Sequence, residues 1–189
     1  MRTRNAFIII LLSIGVSLFA VLHLFVLPTL AEKEQQYLEE QKDLLTHDVT
    51  SVLKYKNKYM GNASNIINLF YTLPLNNLER TYQLYPDVYT LEVNYKENVT
   101  EIDSLKLDQT LLYNAIVAFS LIENLEEIHF RFPDVVVKVS REGIEQWVGL
   151  TLKEIIDIEA WLKESKRKLE DIEYVRQATE AVLHREINK

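Results

Sequence analysis

Residues 6–27, AFIIILLSIGVSLFAVLHLFVL, contain no Asp, Glu, Lys or Arg. As a helix this run is roughly 33 Å long at ~1.5 Å per residue, close to the ~30 Å hydrocarbon core of a bilayer. It is expected to be a single transmembrane anchor, and everything after it inherits its location. Arg2 and Arg4 stand before the run, and the first charges after it are the mixed Glu32, Lys33 and Glu34. The positive-inside bias predicts a cytoplasmic tail at 1–5, an anchor at 6–27 and an extracellular remainder. The alternative is a signal peptide cleaved near Ala31, giving a secreted chain, but such peptides carry apolar cores of only ~7–15 residues. Ser13, Ser17 and Ala20 share one face of the anchor, which permits close helix approach, although ordinary membrane-helix composition explains them equally well.

All 28 acidic residues, and all but Arg2 and Arg4 of the 21 basic ones, follow the anchor. An acidic exported part disfavours nucleic acid as a partner, because phosphate binding needs a basic surface. It disfavours docking on anionic lipid for the same reason. The chain has no Cys, so neither disulfides nor thiolate chemistry is available and stability must come from packing. This combination fits an exported protein of a Gram-positive bacterium.

Residues 28–52, charged from 32 onward with Tyr37, Leu38, Leu44 and Leu45 as sparse apolar positions, are expected to form a helical stalk, with a surface helix or mobile spacer as the alternative. The folded domain is expected over 53–189. Its first element is a strand at 53–58, followed by a turn at Gly61-Asn62 and a helix capped by Asn62 or Ser64 and stopped by Pro74. Strands follow at 81–85 and 88–95, the second alternating Tyr89, Leu91, Val93 and Tyr95 with polar residues. Asp108 is expected to cap a helix over 109–124 that is apolar nearly all round. Its uncharged run, Gln109–Ile122, gives only about 21 Å of helix, too short to span a bilayer, so it reads as the central buried helix. Strands at 127–132 and 135–140 turn at Pro133-Asp134, and Ser140 caps a short helix closed by Gly149. The pattern Thr151-x-x-Glu154 opens a last helix running to about 186, with a break possible near Ser165.

This order defines an α+β fold: a mainly antiparallel sheet of about five strands covered by helices, behind one N-terminal transmembrane helix and ending in a long C-terminal helix. Its first six elements match the order of a split βαβ unit.

Three blocks bring a family into view. They are Tyr59-x-Gly61-Asn62-x-Ser64-x-Ile66-Ile67; Leu112-Tyr113-Asn114-Ala115 followed by Ile128-x-Phe130; and Ser140-Arg141-Glu142 through Trp147-x-Gly149. In that order they resemble an exported Bacillales domain of unknown function, number 4825, over about residues 55–150. The resemblance implies tethering outside the membrane and assigns no activity, ligand or cofactor. Its polar positions are the ligand or partner candidates: Tyr59, Asn62, Ser64, Tyr113, Asn114, Arg141 and Trp147. Turn, cap and core roles account for most of them. Asn114, on the buried helix, needs partners for its amide.

The four histidines, His23, His47, His129 and His184, show no metal-ligand spacing, and His129 is expected to face solvent from its strand. No G-x-S-x-G nucleophile motif occurs, and with four Gly no phosphate-cradling loop is expected. Carboxylate pairs such as Glu126-Glu127 fit a solvated acidic face better than a hydrolase site. The expectation is therefore a membrane-anchored interaction or sensing module without cofactor or metal, acting through another membrane or cell-envelope protein. An exported carboxylate-dependent hydrolase, and a homo-oligomer joined through stalk and C-terminal helix, are the alternatives.

Overall fold

The computed structural model describes residues 2–188. They divide into two compact units, met at residues 39 and 40. Met1, within the expected cytoplasmic tail, and the side chains of Arg2 and Arg4 lie outside the described residues.

The first unit is helical. Helix α1 (Arg2–Val21) leads through a π-helical turn at Leu22–Val26 into α2 (Leu27–Glu40). The turn has a local cause. Pro28 has no N–H to give the carbonyl four residues back, and its ring crowds that carbonyl. The helix widens instead: Leu27 N–H bonds Leu22 O, and the Thr29 hydroxyl donates to Phe25 O at 2.6 Å. Ile8, Leu12, Val16, Phe19, Leu24 and Phe25 are all exposed, so apolar side chains look outward on every side. Among the described residues this is one helix long and apolar enough to cross a membrane.

The second unit, 40–189, is α+β. Its five strands are β1 (Arg80–Tyr85), β2 (Thr90–Tyr95), β3 (Glu127–Arg131), β4 (Val135–Ser140) and β5 (His184–Ile187). They lie in sequential order across one sheet. Every neighbouring pair is antiparallel except β2–β3, which α4 (Ser104–Leu121) joins as a parallel crossover. The helices α3 (Ala63–Thr72), α5 (Arg141–Val148), α6 (Ile158–Lys168) and α7 (Ile172–Val182) complete the unit. The period of two sorts each central strand: Leu91, Val93, Ile128, Phe130, Val137 and Val139 are buried, while Glu92, Asn94, His129 and Lys138 lie on the opposite face. Helix α4 is the expected central helix, with every residue from Thr110 to Leu121 buried.

Several boundaries differ from the sequence expectation. The strand expected at 53–58 is a 3-10 helix, Val49–Tyr55, capped by Asp48, whose carboxylate accepts from Thr50 N at 2.9 Å. Val49 and Val52 are buried three apart, the period of a 3-10 turn. Only Asn57 keeps a bridge, to Ile122. The fifth strand is β5, so a split βαβ topology is excluded. The expected stalk of 28–52 also divides, because Leu44, Val49 and Val52 are core residues of the second unit. Helix α4 starts five residues before the expected position, capped by Asp103 through Lys106 N at 2.8 Å, with Asp108 inside it. Thr151 and Glu154 bound a 3-10 turn rather than a long helix. The C-terminal helix is two helices: Asp157 caps α6, and Asp171 caps α7 by accepting from Glu173 N and Tyr174 N at 2.8 and 3.2 Å.

Candidate functional site

The polar residues singled out from sequence do not converge. Tyr59 is 67% exposed in the loop before α3. Asn62 caps α3, accepting from Asn65 N at 3.3 Å, and Ser64 is exposed in its first turn. Tyr113 and Asn114 are buried halfway along α4. Arg141 begins α5, about two turns of α4 away from that pair. Trp147 sits further along α5 against Tyr174 of α7, ring centroids 5.7 Å apart.

What the fold builds from them is two buried polar centres. The first joins the segment entering the domain to α3 and α4. His47, one of the expected stalk residues, is buried. Its Nδ1 accepts from the Tyr113 hydroxyl at 2.8 Å, which leaves Nε2–H to donate to Thr72 O at 3.1 Å. That tautomer is the one satisfying both contacts, because a carbonyl can only accept. Burial drives the His47 pKa down to about 4; the Thr72 carbonyl opposes this and the Lys166 ammonium adds to it. Burial also pushes the Tyr113 phenol up. Both groups are therefore neutral at pH 7. Next along α4, Asn114 donates to Pro74 O at 2.9 Å, while its Oδ1 accepts no hydrogen bond from the described residues. The buried amide thus finds the neighbouring-backbone partner that its position demanded. Together His47 and Asn114 hold the carbonyls of Thr72, the last residue of α3, and of Pro74 just beyond it. From the outside, Lys166 Nζ donates to His47 O at 2.8 Å.

The second centre is Arg141. Its Nε donates to Leu125 O at 2.8 Å and its Nη2 to Ile122 O at 2.7 Å, which closes the end of α4 and the loop into β3. The guanidinium lies over the Phe119 ring, 5.4 Å from its centroid. Glu126 and Glu145 approach it at 3.7 Å each. Burial lowers the Arg141 pKa against the pull of these acids. Such an arginine holds carbonyls; with two carboxylates beside it, it is not a free anion receptor.

Sequence reasoning missed three features. Arg80 is buried, and donates to Phe70 O, Leu75 O and Leu78 O at 3.1, 3.0 and 2.9 Å, tying the end of α3 to β1. His47 carries no local signal, since its partners lie 25 and 66 residues away. The third is a depression of about 510 Å³ on the outer sheet face, lined by Tyr85, Val88, Thr90, Glu92, Glu127 and His129. His129 lies on the outer sheet face but is largely covered rather than open to solvent, its side chain 19% exposed and its Nε2 3.1 Å from Glu127 Oε2, and Glu92 pairs with Arg131 at 3.0 Å.

The architecture defines a class: an α+β domain following an apolar helix of membrane-spanning length. Residues 52–141 match the family described as domain of unknown function DUF4825. The resemblance read from the three blocks is thus supported over that stretch, which starts just before the first block and ends at Arg141, leaving Trp147 and Gly149 outside. No curated protein and no solved structure matches the chain.

Proposed function

We propose that this protein is a single-pass, membrane-anchored module that presents its α+β domain outside the cell to another membrane or cell-envelope protein. The observation that carries the reading is the apolar helix, exposed all round, immediately before a folded unit. Arg2 and Arg4 ahead of it favour an inward N-terminus. An interaction role draws support from the way the family-like polar residues are used. Asn62 caps a helix, Asn114 holds Pro74 O and Arg141 holds two carbonyls, so their chemistry is spent on the fold.

The chain's lack of Cys makes the topology directly testable. Tyr59→Cys places a single thiol at an exposed loop. In intact cells it is expected to react with a membrane-impermeant maleimide, and the chain to sediment with membranes. Labelling only after permeabilisation overturns the orientation, and a chain in the soluble fraction overturns the anchor. In-cell crosslinking that recovers no reproducible partner overturns the interaction role.

A hydrolase reading draws on Glu92 and Glu127, which both open on the outer depression. It ranks second because Arg131 and His129 already neighbour these carboxylates. Glu127→Gln abolishing a hydrolytic activity of the purified chain would reverse that order.

A further inference from the structure

His23 lies inside the apolar run, just ahead of its last residue, Leu27. At ~1.5 Å per residue it stands about 6 Å within the outer end of that run. A histidine at this depth satisfies its ring most simply by turning outward to water. This one turns the other way. Its side chain folds back toward the helix N-terminus and stacks on Phe19, with ring centroids 4.0 Å apart and planes at 28°. Nδ1 lies 3.3 Å from Phe19 O. A carbonyl only accepts, so Nδ1 carries the proton and donates it. With the N-terminus inward, the ring is directed toward the bilayer midplane and away from the outer water.

That tautomer leaves Nε2 as an acceptor. It meets no donor among the described residues, and the ring is exposed on the helix surface. Hydrocarbon supplies no donor, and it disfavours the imidazolium form in which Nε2 would itself donate. His23 also sits within the π-helical turn Leu22–Val26, a local geometry frequent at functional positions. One turn back, Ala20 ends the face of small residues that begins at Ser13 and Ser17, and such a face lets a neighbouring helix come close beside His23.

We propose that His23 Nε2 is a contact point for a different membrane protein, accepting a hydrogen bond from a hydroxyl, amide or indole N–H donor on one of that protein's transmembrane helices, at outer-leaflet depth. The inference rests on the single-pass reading above and names the place in the bilayer where the partner is met. The tautomer selects the occupant. A second copy in the same orientation brings its own His23 to the same depth with Nε2 as an acceptor, and two acceptors do not pair. It could donate only by giving up its bond to Phe19 O. Its neighbouring residues, 19–22 and 24–27, are Phe, Ala, Val, Leu and Leu, Phe, Val, Leu, none of which has a side-chain donor. Lipid headgroup donors lie beyond the outer end of the run, on the side from which the ring turns away.

The test uses the full chain in cell membranes, with a photoreactive diazirine side chain in place of Leu24, four residues on from Ala20. Irradiation is expected to give one discrete adduct with a different protein. His23→Leu removes the acceptor and is expected to lower that adduct about three- to tenfold, the range that one interhelical hydrogen bond supports. His23→Gln, whose Oε1 accepts from the same donor, is expected to restore it. The same label in place of Val21, on the other side of the helix, is expected to give no protein adduct. An adduct indifferent to His23→Leu or not restored by His23→Gln, an equal adduct from position 21, an adduct between two copies, or adducts with lipid alone overturns the proposal. In the purified chain in phosphatidylglycerol vesicles, nitrogen NMR is expected to show His23, assigned by difference from His23→Leu, protonated on Nδ1; protonation on Nε2 also overturns it. Each of these outcomes is read in a chain that sediments with membranes and leaves the anchoring reading standing. A chain that fails to sediment overturns the anchoring reading and this inference with it.

Discussion

At the scale of single residues, the buried polar side chains are the sensitive points. His47 is held neutral, with its pKa at about 4 against an ordinary ~6.5. The unfolded chain therefore binds a proton at higher pH than the folded one, and stability falls as pH drops from about 6.5 towards about 4. The full contribution is present above that window, and its loss amounts to ~3 kcal/mol at its lower end. Denaturant melts at stepped pH are expected to show this slope, and His47→Gln to remove it. Asn114→Ala leaves Pro74 O unpaired in the core and is expected to cost about 1–3 kcal/mol. Asn114→Asp is expected to be worse at neutral pH, because it buries a charge and cannot donate. Arg141→Lys cannot reach Ile122 O and Leu125 O together and is expected to lower stability by about 2 kcal/mol, measurable by thermal melting.

At the scale of elements, caps and edges decide the boundaries. Gly149 ends α5 at φ 73°, with its N–H on Glu145 O at 2.9 Å. A side chain is disfavoured at that angle, so Gly149→Ala is expected to cost about 1 kcal/mol in chemical denaturation. Strand β5 covers the edge of β4, whose Val135, Val136 and Val137 are buried. Truncation after Leu183 is expected to leave the domain folded by circular dichroism but to expose that valine-rich edge, and to cause concentration-dependent aggregation in light scattering. The surface pairs matter less. Lys163–Glu159 at 2.6 Å is an i,i+4 pair, and Glu164 bonds Arg167 at 2.7 Å. Each is worth only a few tenths of a kcal/mol.

At the scale of the whole molecule, the domain does not begin where a stalk was expected to end. Residues 41–55 leave the helical unit and are at once committed to the core, by Leu44, Val49 and Val52 and by the His47 hydrogen bonds. Lys106 reaches Asp43 at 2.6 Å and holds its carboxyl below the usual range. Side chains thus hold residues 43–52 against α3 and α4, where a loose spacer would make no such contacts. Within the proposed membrane arrangement, replacing Arg2 and Arg4 by Glu is expected to weaken the inward bias of the N-terminus, read as lower maleimide labelling of Tyr59→Cys in intact cells.

The sequence alone determined what depends on local pattern. The apolar run, the alternation in β2 and β3, the caps at Asn62 and Ser140 and the buried central helix were all legible, because periodicity and capping act over a few residues. The family-like blocks were legible as well, and so was the need of Asn114 for a partner. Tertiary structure decided the rest. Leu53, Lys54, Tyr55 and Lys56 alternate like a strand, but packing of Val49 and Val52 takes that segment into a 3-10 turn. Residues 184–187 show no strand signal strong enough to compete with a helix, and become β5 because β4 offers an open edge. His47 joins Thr72 and Tyr113 for the same kind of reason: a buried donor or acceptor takes whatever partner the fold brings near, and sequence distance does not record which one that is.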